Sequence, residues 1–293
     1  MNEAGEFSGG SEIPRTDPHL ENFCGIPTGN PTHLCRPFHW QDGRMTQLPT
    51  LGGNNGMAFG VNSLPQVIGF AETGKRDSSC VAPQVFDFKG VIWQSDGTKV
   101  TLPPYPGDTV SLGFSINDEG QAVGSSGTCG PVFSAAPAVH ALLWRHRKPV
   151  DLGNLGAPLA SASHINNRGQ VVGVSGLAGS GLFHAFLWQK GVMKDLGALP
   201  GGVFSNGTSI NERGQVVGFS ADASGNNTAF IWEDGTMKDL NRLVHASSLH
   251  LMIAADINDH GWITGDALDA KTGKIRGVLL IPIDDAASTR EGF

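Results

Sequence analysis

The chain has 293 residues, a net charge of −7 and a pI near 5.8, so it can bury a large core and carries no basic excess suited to nucleic acid. Glycine supplies 41 residues and proline 17, while charged residues make up only 16%; short strands joined by tight turns give that balance, and a mainly helical fold does not. No apolar run approaches the length of a membrane-spanning helix, and Met1-Asn2-Glu3-Ala4-Gly5 lacks the basic start and apolar centre of a secretory signal.

A repeat runs the length of the chain. It opens at Asn2, Asn62, Asn117, Asn166, Asn211 and Asn258. Three residues later stands Gly5, Gly120, Gly169, Gly214 or Gly261, with Pro65 as the exception. Asn, two further residues and Gly suit a type I turn closed by a left-handed glycine, which makes a hairpin of the flanking strands. A second glycine follows each Asn by seven residues: Gly9, Gly69, Gly124, Gly173, Gly218 and Gly265. A glycine inside a strand marks a bulge or a close approach of backbone.

The next strand carries Trp40, Trp93, Trp144, Trp188 and Trp232, and Leu280 takes that place in the last copy. A second turn comes next, as in Asp42-Gly43, Asp96-Gly97, Lys190-Gly191 and Asp234-Gly235. An outer strand closes the unit, as in Met193-Lys194-Asp195-Leu196. Trp-to-Trp spacings of 53, 51, 44 and 44 residues fit four-stranded propeller blades. The fold class is therefore all-β: a β-propeller of about six four-stranded antiparallel blades. Residues 1–283 form one domain and 284–293 a polar tail. The first copy lacks its innermost strand and the last its outer strand, and an upstream segment of roughly 20 residues that pairs with both ends is the expected closure of the ring. One short helix is predicted at Leu243–Met252, between two repeats.

His184-Ala185-Phe186-Leu187-Trp188, Met193-Lys194-Asp195-Leu196-Gly197 and Ile210-Asn211 with Gly214-Gln215-Val216-Val217-Gly218 resemble the HAF-repeat family of bacterial proteins assigned to the cell exterior. The resemblance covers nearly the whole chain, is specific in the third to fifth copies and degenerate in the others. It implies a propeller-like ring and a secreted or cell-surface location. It brings no defined activity and no catalytic residues.

Cys24, Cys35, Cys80 and Cys129 all fall between the second strand and the Trp strand of their copies, which places them on one face of a ring. An even number on one side favours disulfides and an oxidising compartment. Cys24 with Cys35 would staple a Pro- and Gly-rich loop, and Cys80 with Cys129 would join adjacent blades. A zinc site with His19 and His33 is the rival, but the short Cys spacing that zinc favours is missing. No metal and no cofactor are expected.

Residues present in several copies read as structural, because one site does not need five equivalents. Function should come from residues that break the pattern. On the face where the long loops gather, Asn54, Asn55, Tyr105, Asp108, Phe204, Asn206, His245 and His250 are the candidate binding residues, a set of amides, an acid and aromatics suited to carbohydrate or to an extracellular protein. No Gly-x-Ser-x-Gly elbow precedes a helix and no His-Glu-x-x-His is present. The expected function is a non-catalytic, extracytoplasmic binding or interaction module. A propeller hydrolase or lyase acting on polysaccharide is the alternative, and a structural surface protein the third reading.

Overall fold

The structure, a computed structural model, describes residues 2, 4–21, 24, 33–129, 139–244 and 248–283. Its strands form six antiparallel units in chain order. The first holds β1 (Phe7–Thr16), β2 (His33–Gln41) and β3 (Arg44–Gln47). The second holds β4 (Gly56–Val61), β5 (Val67–Arg76), β6 (Phe86–Trp93) and β7 (Lys99–Leu102), and the third β8 (Val110–Ile116), β9 (Ala122–Gly127), β10 (His140–Arg145) and β11 (Lys148–Asp151). The fourth holds β12 (Gly156–Ile165), β13 (Val171–Leu177), β14 (Phe183–Gln189) and β15 (Val192–Asp195), and the fifth β16 (Gly202–Ile210), β17 (Val216–Asp222), β18 (Asn227–Glu233) and β19 (Thr236–Asp239). A single bridge from Phe183 to Phe204 joins these two sheets. The sixth holds β20 (Leu249–Ile257), β21 (Ile263–Asp269) and β22 (Lys274–Leu280). The third strand of each blade packs on the inner strand of the next, β2 on β4 through to β18 on β20. This is a β-propeller, and among the described residues the first and last sheets show three strands each.

The repeated Asn has two jobs. Its Oδ1 accepts the backbone N–H four residues on, in all six copies, at 2.9–3.0 Å. Its Nδ2 reaches the next blade: Asn2, Asn62, Asn117, Asn166 and Asn211 donate to the carbonyls of Asn62, Asn117, Asn166, Asn211 and Asn258 at 2.9–3.1 Å. A chain of amides therefore stitches one end of the ring. The side chains of Asn62, Asn117, Asn166 and Asn211 are buried, so each bond costs more to leave unmade than it contributes when formed. The turn glycines have φ of 69–84°, the left-handed conformation the motif requires.

The second glycine answers both expectations made of it. A Cβ on Gly69, Gly124, Gly173, Gly218 or Gly265 would lie 1.9–2.1 Å from the carbonyl oxygen of Met57, Leu112, Ser161, Asn206 or Ile253 on the inner strand. Each of those inner strands also has a register shift beside that point, from Ala58/Gly60 to Ala254/Asp256. The bulge brings the carbonyl in and the glycine makes room for it.

The core lies between blades. Val123 and Leu143 of the third meet Ala160 and Ile165 of the fourth, and Val217 and Ile231 of the fifth meet Leu251, Ala254 and Ile257 of the sixth. The indole of Trp93 donates to the Pro49 carbonyl at 2.8 Å and that of Trp144 to the Pro103 carbonyl at 2.7 Å, so each Trp is also fixed to the blade before it.

Both disulfides pair as expected. Cys24–Cys35 closes a loop within the first blade, and Cys80–Cys129 joins the second blade to the third. Cys35 differs in place: it sits inside β2, fully buried, rather than in the loop. The expected helix at Leu243–Met252 is corrected. One 3-10 turn spans Leu240–Arg242, and Leu249 already begins β20. The Asn241 side chain clamps Leu251 like a neighbouring strand, accepting its N–H at 2.7 Å and donating to its carbonyl at 3.0 Å, and the buried Leu251 joins the core. No helix among the described residues is long and apolar enough to cross a membrane.

Candidate functional site

The inner strands of blades two to six surround a cavity of about 560 Å³. Their bulges decide what faces it. The bulged position carries Phe59, Phe114, Ser163, Thr208 and Ala255 around the ring, and the residue after it Gly60, Ser115, His164, Ser209 and Asp256. The cavity is two-sided. β4 and β8 present Phe59 and Phe114, whose rings meet edge to face with centroids 5.2 Å apart. β12, β16 and β20 present hydroxyls, an imidazole, an amide and a carboxylate. A narrower space of about 220 Å³ continues to the amide chain and shares Val61, Ile116, His164 and Asp256 with the first.

Two polar atoms in this wall are buried without a hydrogen-bond partner: His164 Nδ1 and Asn206 Oδ1. Burial pushes the His164 imidazole below the ordinary histidine range, against the pull of Asp256 and of the Ile210 carbonyl. The ring is therefore neutral at pH 7, with one nitrogen free to accept. Asp256 Oδ1 accepts from Ser209 Oγ at 2.6 Å and from the Ile257 N–H at 3.0 Å. Thr208 Oγ1 is within 2.6 Å of the Ala254 carbonyl and 3.1 Å of the Val217 carbonyl. Buried polar groups ordinarily find partners, so a ligand that donates two hydrogen bonds would complete this wall.

Of the described residues among those expected from sequence, only Asn206 lies in the cavity. Asn55 is buried and structural: its Oδ1 accepts the Cys35 N–H at 2.9 Å, and its Nδ2 lies 2.8, 3.1 and 3.4 Å from oxygens of Asp17, Glu21 and Glu72. Asn54 gives its N–H to Glu72 Oε2 at 2.9 Å. Tyr105 and Asp108 form a local group with His140: Asp108 Oδ2 lies 2.8 Å from His140 Nδ1 and accepts from Ser126 Oγ, and the Tyr105 ring is 4.5 Å from the imidazole. The hydroxyl there is bonded to the carboxylate and not to the imidazole. Phe204 stacks on Phe219 at 5.6 Å. His250 Nε2 holds the Asn227 carbonyl at 2.8 Å. His245 lies outside the described residues. The set is spread around several blades and does not converge. The sequence reading missed His164, Asp256 and the Phe59–Phe114 pair, which sit on inner strands rather than loops.

Two groups of possible metal ligands stand together among the described residues. The Asn55 amide nitrogen sits among the three buried carboxylates of Asp17, Glu21 and Glu72 and donates to them. Asp77, Cys80 and Cys129 come together as well, but both sulfurs are in the disulfide, which leaves no thiolate to ligate.

No protein-family model matches the chain, and no curated protein matches it. Among solved structures it is similar to an acylaminoacyl peptidase from Pyrococcus horikoshii, with a TM-score of 0.50, 10% identity and coverage of 84% of this chain and 40% of that one. The chain thus spans about two fifths of the peptidase's length. It is also similar to the β-propeller domain of the Trilobed protease from Pyrococcus furiosus (TM-score 0.46, 12% identity, 70% of this chain and 58% of that one). A gluconolactonase from Xanthomonas campestris gives a TM-score of 0.42 at 15% identity, over 84% of this chain and 79% of that one.

Proposed function

We propose that this protein is a non-catalytic ligand-binding β-propeller of the HAF-repeat kind, secreted or held at the cell surface, and that its ligand is a small carbohydrate seated in the central cavity. The observation that carries the reading is the pair of buried, unpartnered acceptors, His164 Nδ1 and Asn206 Oδ1, in a wall that faces Phe59 and Phe114. A sugar supplies hydroxyl donors for the acceptors and an apolar C–H face for the rings. The cavity volume suits one or two sugar rings. Two disulfides support an oxidising compartment.

Catalysis would need a hydroxyl on the imidazole, or two free carboxylates facing one bond. Among the described residues, no hydroxyl reaches His164 Nδ1, and Asp256 is the one carboxylate lining the larger cavity. A thermal-shift panel of mono- and disaccharides, polyols and amino acids, with disulfides intact, tests the reading. At least one sugar should raise the melting temperature by several degrees at millimolar concentration, and Asn206→Leu should remove the shift while leaving the protein folded. A sugar that shifts Asn206→Leu as much as the native protein would place binding elsewhere.

A further inference from the structure

The central cavity and the narrower space that continues from it carry charge of one sign. Asp256 lines both, and Asp118, Glu212 and Asp259 line the narrower one. No Lys or Arg lines either, and burial keeps the His164 imidazole neutral at pH 7. Arg168 and Arg213 stand at this end of the ring, but their guanidinium groups lie against the turn glycines Gly214 and Gly261 and not in the lining. Elsewhere carboxylates find counter-charges, as Asp87 does in Lys89, Glu233 in Lys238 and Asp269 in Arg276. Among the described residues none of the four lining carboxylates forms an ion pair. Backbone holds them instead. Asp118 Oδ1 accepts the Ser63 N–H at 2.8 Å, Glu212 Oε1 the Asn167 N–H at 2.6 Å and Asp259 Oδ1 the Glu212 N–H at 2.7 Å, each across a seam between blades. Asp256 spends Oδ1 on Ser209 and the Ile257 N–H, and its Oδ2 takes no hydrogen bond from the described residues. A cleft lined by one sign of charge raises the local concentration of the opposite ion.

The cavity wall points the same way. Its two buried, unpartnered atoms, His164 Nδ1 and Asn206 Oδ1, both accept. The hydroxyls of Thr208 and Ser209 are already given to the Ala254 carbonyl and to Asp256. An ammonium group has three donors and no acceptor. Phe59 and Phe114 line the same cavity, and aromatic rings attract a cation. We infer that the ligand of the central cavity carries a protonated primary amine. Asp256 takes the ammonium through Oδ2, His164 Nδ1 and Asn206 Oδ1 accept from the ligand's remaining donors, and Asp118, Glu212 and Asp259 draw the cation in. The inference rests on the proposed sugar reading only for the rest of the molecule: on that reading the ligand is an amino sugar. A neutral sugar would satisfy the two acceptors and leave the four carboxylates without a counter-charge.

Isothermal titration of the full chain at pH 7, disulfides intact, compares glucosamine, N-acetylglucosamine, glucose and cyclohexylamine. Glucosamine should bind at least about tenfold more tightly than glucose or N-acetylglucosamine, whose nitrogen is a neutral amide. Raising NaCl from about 50 to about 500 mM should weaken glucosamine severalfold and leave the neutral sugars unchanged. Asp256→Asn keeps the Oδ1 acceptor for Ser209 and Ile257; it should weaken glucosamine about tenfold and glucose little. Glu212→Gln, in the narrower space, should weaken glucosamine severalfold at low salt only. Equal affinity for glucose and glucosamine would overturn this inference and leave the sugar reading standing. Binding of cyclohexylamine with no sugar bound would uphold it and remove the sugar reading. Glucosamine affinity unchanged in folded Asp256→Asn and indifferent to salt, or no amine bound by the folded protein at millimolar concentration, would overturn it.

Discussion

Gly173→Ala is expected to lower stability by about 3 kcal/mol and the melting temperature by roughly 6 °C or more. The added Cβ would stand 2.0 Å from the Ser161 carbonyl oxygen and 2.9 Å from the Ala162 Cα. Neither can swing aside. Both belong to β12, whose bulge falls at this point and whose end is fixed by Asn166 through Gln170 and Asn211. Gly9→Ala is the internal control. Gly9 occupies the same repeat position and has a Phe ring at a similar distance, Phe38 at 2.9 Å against Phe186 at 3.0 Å, but no carbonyl above it. Its loss should stay near 1 kcal/mol. Urea denaturation of both variants measures the difference; equal losses would mean that the ring, and not the carbonyl, makes the glycine necessary.

The stability of this protein should fall as pH rises from about 5 to about 9, and Glu72 should be the main cause. Its side chain is fully buried. Oε2 accepts the N–H groups of Asn54 and Asn55 at 2.9 and 2.8 Å, and Oε1 accepts from Gln84 Nε2 at 3.0 Å. Burial, followed by the neighbouring Glu21 carboxyl, pushes its pKa up to about 9. The folded chain therefore keeps a proton that the unfolded chain releases near pH 4.5. The stabilisation is complete below that pH and is lost progressively as pH rises towards the folded value. Glu72→Gln keeps a neutral group of the same shape and removes this titration. The melting temperature of the variant relative to the native protein should climb by roughly 5 °C or more between pH 5 and pH 9. A constant difference across that range would mean that Glu72 is ionised in the folded protein. His164, buried neutral, acts with the opposite sign and costs stability below the ordinary histidine range; taking the difference between variant and native protein cancels it.

The architecture was legible because it is written six times. Each Asn, turn glycine and Trp has its own local reason for being where it is, and a residue repeated at fixed offset reports geometry whatever the function. The disulfide pairing was legible from position, since Cys80 and Cys129 sit at the same place in neighbouring copies. The helix at Leu243–Met252 differs from the structure because the pairing of Leu251 with the Asn241 side chain is a tertiary contact that local pattern does not report. The cavity was half legible. Residues that break the repeat pattern do line the cavity, but they are not on the loops. The break lies inside the inner strands, where Phe59, Phe114, Ser163, Thr208 and Ala255 replace one another at a bulge. Without the bulge, strict alternation does not tell which of two successive residues faces the channel, so His164 and Asp256 read as ordinary strand residues. Asn55 shows the reverse error: its loop position suggested a rim, while its amide is committed to Asp17, Glu21 and Cys35.

The most direct test of the central claim is the nitrogen spectrum of the histidine rings, recorded with selectively labelled protein before and after adding the sugar that gives the largest thermal shift. The Nδ1 resonance of His164, assigned by His164→Gln, is expected to move as it accepts a hydrogen bond from the ligand, while the ring stays neutral at pH 7 and the resonances of His140, His184 and His250 hold still. Movement confined to those three histidines, with His164 unchanged at saturation, would put the ligand outside the central cavity and contradict the claim that it is the binding site.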